Sequence, residues 1–243
     1  MFVNQKGEEI DRICGFYGDR DATFQTIQDY ANGKNTLTGI LSKLKQDKKN
    51  VKLNYKLAQK HVSRWEGDQA KPYFKNVLKL DPNDEKGFKT ESIFNIALYD
   101  ARFEKNVKPL LKFMAQNSDE KYYEKGYYNL LGYYKKTKDQ DGMVKTYESM
   151  VKKMAANAGL YNQYAWFIYE ERMKNKYDWG IKLAKKAVEL QPDAAHIWDT
   201  LAWLHFEKGN KKKALKAMKK AVELEPETKG FKKNLKKMKK GVS

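Results

Sequence analysis

The sequence is short of several things that would each have pointed to a particular chemistry. Among its 243 residues there is one cysteine, Cys14, which excludes an internal disulfide and a cysteine metal cluster. The three histidines, His61, His196 and His205, are scattered. His196 and His205 stand nine apart, so they do not share a face as an i, i+4 ligand pair does. No apolar run approaches the ~18 residues that a membrane span needs. The first residues, Met1-Phe2-Val3-Asn4-Gln5-Lys6, lack the basic start and apolar core of a signal peptide. Negative charge is also scarce: 31 Asp and Glu face 49 Lys and Arg, a net charge of +18. These absences leave no cofactor or metal implied by any motif.

What is present is a repeat. Lys185-Lys186-Ala187-Val188-Glu189-Leu190-Gln191-Pro192 returns 34 residues later as Lys219-Lys220-Ala221-Val222-Glu223-Leu224-Glu225-Pro226. Asn76-Val77-Leu78-Lys79-Leu80-Asp81-Pro82 is a third version upstream. A fixed period of this length in a helical pattern marks a stacked helix–turn–helix array. In the unit from Ala195 to Pro226, Trp198, Leu201, Ala202 and His205 fall on one helix face. Gly209-Asn210 supplies a turn. Ala214, Met218 and Ala221 line a second helix, which Pro226 stops.

This unit resembles the tetratricopeptide repeat, with its Trp, Leu, small residue, aromatic, Ala, aromatic, Ala and Pro at set positions. Tyr164, Phe167, Gly180, Ala184, Ala187 and Pro192 repeat the pattern, with Ile168 in place of the small residue. Leu57, Ala58, His61, Gly67, Ala70, Phe74 and Pro82 repeat it again. Between Asp84 and Asn157 the pattern is degenerate. Ile93, Phe94, Ala97 and Ala101 with Leu110, Leu111 and Met114 read as one unit, Pro109 falling in a first helical turn. Tyr128, Leu131 and Gly132 with Tyr147 and Met150 read as another. The resemblance implies a mainly α fold: a right-handed superhelix, or α-solenoid, of about five helix hairpins over 51–226. Residues 227–243, with Phe231, Leu235 and Met238 as an apolar stripe among lysines, form the polar cap that a solenoid end requires.

The first fifty residues do not repeat. Phe2-Val3-Asn4, a turn at Gln5-Lys6-Gly7-Glu8 and the alternating Glu9-to-Phe16 segment predict a β-hairpin. Asp21 is expected to cap a helix with Phe24, Ile27 and Ala31 on one face, closed by Gly33. A linker helix at 34–50 carries Leu37, Ile40, Leu41 and Leu44. Lys6-Gly7, Glu9, Arg12-Ile13, Gly15-Phe16 and Tyr17 resemble the C-terminal part of a thioredoxin-like domain, over 1–33 only. The resemblance implies an upstream Cys-x-x-Cys and cis-proline, neither of which this chain contains. Cys14, with no second thiol, reads as a small buried core residue. A hairpin without its sheet is marginal, and its open edge invites pairing with another copy. The expectation is a chain cut from a longer one or started at an internal Met. A signal peptide would then have been lost, and the compartment, cytoplasmic by default, would be periplasmic or secreted.

In tetratricopeptide arrays the first helix of each unit lines a concave groove. Carried onto this sequence, the groove-facing positions are Asn95, Asn129 and Asp199, then Tyr99, Tyr133, Tyr169 and Trp203, then Arg102, Lys136, Arg172 and Phe206. Aromatics supply area and amides bond a peptide backbone, while the cations favour an acidic partner. Aromatics at helical spacing also serve as packing between neighbouring helices, and that alternative stands for Tyr133 and Tyr169. The family's chaperone-tail clamp places Lys and Asn where Tyr55 and Gln59 stand, so that ligand is not expected. Lysine crowds the C-terminal end, and weak, salt-dependent polyanion binding follows. The sequence therefore predicts a non-catalytic protein- or peptide-binding scaffold. The alternative is the repeat arm of a thiol–disulfide oxidoreductase whose active half is absent.

Overall fold

The computed structural model describes residues 1–15 and 18–241. They fall into two compact units, Met1–Gln140 and Asp141–Ser243, each taken by itself below. Phe16 and Tyr17, which carry part of the thioredoxin resemblance, lie outside the described residues.

The first unit opens with an antiparallel hairpin of β1 (Phe2–Val3) and β2 (Glu9–Asp11), in which Phe2 lies opposite Asp11. Helices α1 (Arg20–Ala31), α2 (Leu37–Gln46), α3 (Val51–Ser63) and α4 (Gly67–Leu80) follow. After them come α5 (Lys89–Phe103), α6 (Lys108–Gln116), a single 3-10 turn at Glu120–Tyr122 and α7 (Tyr123–Thr137). Asn50 starts α3 by accepting a hydrogen bond from the Leu53 N–H, which satisfies one of the orphan donors at a helix N-terminus. The expected residues then close α3 on α4: Leu57 and Ala58 are fully buried, and Ala70 and Phe74 nearly so. Full burial of a side chain such as Leu57 or Phe74 is worth about 1.5–3 kcal/mol. Ile40 and Leu44 of α2 pack on Leu57, extending this core toward the N-terminus.

The second unit contains α8 (Gln140–Lys153, beginning at the boundary), α9 (Ala158–Glu170), α10 (Tyr177–Leu190), α11 (Ala195–Glu207), α12 (Lys211–Leu224) and α13 (Lys229–Lys240). α9 pairs with α10 and α11 with α12. Ile168, which departs from the repeat pattern, has a compensating partner. A Cβ on Gly180 would lie 3.3 Å from Ile168 Cγ2 and 3.1 Å from a Leu204 methyl. The small residue has moved from α9 to α10, so the two helices still approach closely. α13 packs on α12 and buries Met238 completely.

Helices α3, α5, α7, α9 and α11 each give way to a turn containing a left-handed residue: Trp65, Lys105, Lys138, Arg172 and Gly209. The turns after α3 and α11 are built alike. Trp65 N–H donates to the Val62 carbonyl and Glu66 N–H to that of His61; Gly209 and Asn210 donate likewise to Phe206 and His205. Such paired bonds satisfy the last carbonyls of a helix.

Several expectations fail at the N-terminal end. The cap of α1 is Asp19, not Asp21; its side chain accepts from the Ala22 N–H at 3.0 Å. The face carrying Phe24 and Ile27 points to solvent, the two being 61% and 41% exposed, and Tyr30 is the buried aromatic. In the middle units Ile93, Leu111 and Tyr128 are exposed while Phe94, Leu110 and Leu131 form the core. β2 ends at Asp11, and the residue it buries fully is that aspartate. Cys14 is only half-buried, its Sγ 3.7 Å from the Arg64 carbonyl. Nor does the hairpin stand alone. Asp11 accepts from the Leu37 N–H at 2.9 Å and pairs with Lys60 at 2.8 Å and Arg64 at 2.9 Å.

Candidate functional site

The sequence-derived groove residues separate into two sets. In the first unit, Asn95, Tyr99 and Arg102 of α5 meet Lys125 and Asn129 of α7 along one cleft of about 340 Å³. The same cleft takes Trp65 from the turn after α3, and Phe103. A second cleft of about 390 Å³ is lined by Arg102, Asn129, Tyr133 and Lys136. Arg102 and Asn129 belong to both, so the two clefts adjoin at those residues. One end is aromatic, with Trp65, Tyr99 and Phe103; the other presents Tyr133 and Lys136. Each cleft is near the lower end of the 300–1,000 Å³ typical of ligand pockets, room for side chains in succession.

Local sequence explains the placement. Gly67 begins α4, and a Cβ there would stand 2.9 Å from the Tyr99 ring. The missing side chain therefore lets the edge of the Tyr99 ring approach α4, where the Lys71 ammonium sits 5.1 Å from its ring centre. Tyr99 and Phe103, one helical turn apart, have ring centres separated by 5.1 Å. Asn95 and Asn129 each bond a carbonyl one turn back through the side-chain nitrogen, leaving the amide oxygens directed elsewhere.

The electrostatics are one-sided. Among the described residues no Asp or Glu lines either cleft. Arg102 leans on the Phe103 ring at 5.3 Å, and neither it nor Lys125 has an ion-pair partner among the described residues. Desolvation pushes the Lys125 ammonium below its usual value; Glu91 raises it and Arg102 lowers it further. Glu91 offsets only part of this, so a cleft lined by Arg102 and Lys125 and by no carboxylate is a place for an anion.

In the second unit the ladder is closed. Tyr169 and Trp203 stack at 5.6 Å, and Phe206 meets Trp203 edge-on. Trp203 is only 6% exposed, with the Lys237 ammonium of α13 4.9 Å from its ring centre. Asn234 donates to Asp199 at 3.0 Å, and burial pushes that carboxyl up despite the bond. Trp203, Asp199 and Phe206, read from the sequence as groove-facing, are thus covered by α13 or packed in the aromatic stack. Arg172 is the left-handed residue of its turn and is exposed. The sequence did hold a signal for this: Lys237 stands one repeat period after Trp203, so α13 continues the same register. Trp65 and Phe103 were missed. Their one visible mark is a large aromatic at a helix end, where the repeat pattern asks for nothing apolar.

These features define a helical-repeat protein with an open, cationic and aromatic groove in its first unit. Residues 195–228 match the family model of the tetratricopeptide repeat. A search of curated proteins returned no match. Among solved structures the fold is similar to YrrB, described as a TPR protein with an unusual peptide-binding site. That likeness has 16% identity and a TM-score of 0.58, covering 82% of this chain and 97% of that one. It is also similar to the MamA protein, at 18% identity and a TM-score of 0.55, covering 72% of this chain and 92% of that one. At such identities the likeness is one of fold. None of these comparisons supports the thioredoxin resemblance of residues 1–33. Among the described residues no helix is long and apolar enough to cross a membrane.

Proposed function

We propose that the chain is a non-catalytic scaffold that binds an extended, acidic peptide segment of a partner protein in the groove between α5 and α7. We take 51–226 as five repeats, closed by the cap at 227–243. The observation that carries the reading is the sharing of Arg102 and Asn129 by two clefts that contain no carboxylate. An extended peptide needs a row of adjoining sites with backbone-bonding amides between them, and Asn95, Asn129 and the aromatic rings supply that row. The site set is therefore Asn95, Tyr99, Arg102, Asn129, Tyr133 and Lys136, while Tyr169, Arg172, Asp199, Trp203 and Phe206 belong to the closed stack and its margin.

The test is selection of a random dodecapeptide library on the immobilised protein. Acidic sequences should be enriched, and Arg102→Glu should weaken them at least tenfold, about 1.4 kcal/mol. Enrichment of neutral or basic peptides, or indifference to Arg102→Glu, would overturn the reading. A weaker second activity rests on a different cleft, where Lys212, Lys216, Lys219 and Lys220 outnumber the one carboxylate, Glu223, around Trp198 and Leu215. Binding of polyanions there is electrostatic and should vanish with moderate salt, whereas groove binding should persist. The oxidoreductase alternative rests on the thioredoxin resemblance of residues 1–33, which none of the comparisons supports.

A further inference from the structure

Trp65 occupies a place that the fold does not ask a tryptophan to fill. Its φ of +62° is left-handed, a conformation costly for any residue with a Cβ and a true outlier for a bulky one. The turn itself does not require it. Gly209 stands at the equivalent point after α11 with the same pair of backbone bonds, and Lys138 and Arg172 serve after α7 and α9. Nor does packing require it, because Trp65 is 78% exposed. What distinguishes this position from the others is the cleft beside it, where the indole joins Tyr99 and Phe103 at the aromatic end. Phe103 is itself 57% exposed. The left-handed backbone is common to these turns, so the large exposed aromatic over a cleft is what sets this one apart.

We propose that Trp65 is the specificity-determining anchor of the groove, pairing with an aromatic side chain of the bound peptide whose acidic residue sits at Arg102. This rests on the acidic-peptide reading above and narrows it: the partner segment carries an aromatic residue close to its acidic one. Aromatic rings supply contact area with few rotatable bonds, and they dominate binding where they fill a pocket beside a cation.

The experiment uses the full chain and two pools of N-acetylated, C-amidated dodecapeptides in a Gly-Ser background. Each peptide of one pool carries one Trp and two Glu at varied spacing; the other pool has Ala for Trp. The wild type should prefer the Trp pool by about thirtyfold, the weight of a binding hot spot. Trp65→Gly should abolish that preference, the two pools then binding with equal strength. Its melting temperature should hold or rise, since glycine suits the turn, and Trp65→Phe should restore part of the preference. A wild type that binds both pools equally overturns the anchor and leaves the acidic-peptide reading standing, as does a folded Trp65→Gly that keeps the preference. A wild type that binds neither pool overturns both.

Discussion

Replacing Asp11 with alanine should destabilise the first unit more than any other single change to its polar groups. The carboxylate is fully buried, and so nearly are Lys60 and Arg64, 8% and 5% exposed. Its Oδ2 pairs with Lys60 Nζ at 2.8 Å and its Oδ1 with Arg64 at 2.9 Å. It also accepts the Leu37 N–H, one of the unpaired donors at the start of α2. After Asp11→Ala, Arg64 keeps Glu9 and Glu66, but Lys60 keeps only the Tyr30 hydroxyl and ring. An uncompensated buried cation costs about 3–5 kcal/mol. At roughly 2–4 °C per kcal/mol for a chain of this size, melting should fall by about 10 °C. Urea unfolding followed by circular dichroism measures it, with the two units allowed separate transitions. The sign of the electrostatics is checked by the double variant Asp11→Ala with Lys60→Met, which removes the orphaned charge and should recover at least about 1 kcal/mol. A loss below about 1 kcal/mol in the single variant would refute the argument, because the hairpin could not then be docked through this carboxylate.

The second unit has its own pH dependence. Burial, helped by Lys185, Lys213 and Lys208, pushes His205 down to about 4 from an ordinary 6.5. The folded state holds it neutral, so its contribution is complete above pH 6.5 and lost as pH falls toward 4, up to about 3 kcal/mol. His205→Phe should flatten stability across that window, measured by urea unfolding at stepped pH. In the same unit Gly180→Val, whose Cβ alone would stand 3.1 Å from Leu204 and 3.3 Å from Ile168, should cost about 1–3 kcal/mol by overpacking, measured by thermal melting.

The helices and most of their core were legible because period and burial coincide in them. Leu57, Ala58, Ala184, Ala187, Ala202 and Ala221 stand where the repeat pattern puts contacts, and all are fully buried. The degenerate middle was readable to within one helix face: Phe94 and Leu131 are core, whereas their neighbours Ile93 and Tyr128 are turned outward. Half of the groove could be read for the same reason, since a register fixed by core residues also fixes what lies between them. What could not be read depends on partners distant in sequence. Asp11 looks like a solvent-facing strand residue until Lys60 and Arg64 arrive beside it. Trp203 looks like a groove residue until α13 covers it. The α1 face with Phe24 and Ile27 has good helical spacing, yet nothing in that spacing says whether a second surface exists to receive it.

The two features that the sequence hid are consecutive in the chain. Arg64 and Glu66 flank Trp65, and both are held by charge: Arg64 by Glu9, Asp11 and Glu66, and Glu66 by His61 as well. Burial raises the Glu66 carboxyl, but bonds from Arg64 and His61 outweigh it and keep it below the ordinary range. A left-handed tryptophan persists only where its surroundings over-determine the backbone. Here the residue on each side is fixed by ion pairs, and Gly15, just after the hairpin, stands against the indole edge. The hairpin thus has a use beyond covering the end of α3: it holds the turn that presents Trp65 to the cleft. It follows that loss of Asp11 should weaken the preference for aromatic peptides as well as stability, although Asp11 does not line the groove. At a temperature where Asp11→Ala remains folded, the Trp-over-Ala preference should shrink while affinity for the Ala pool is kept. An undiminished preference would mean that Trp65 is held by its own turn alone.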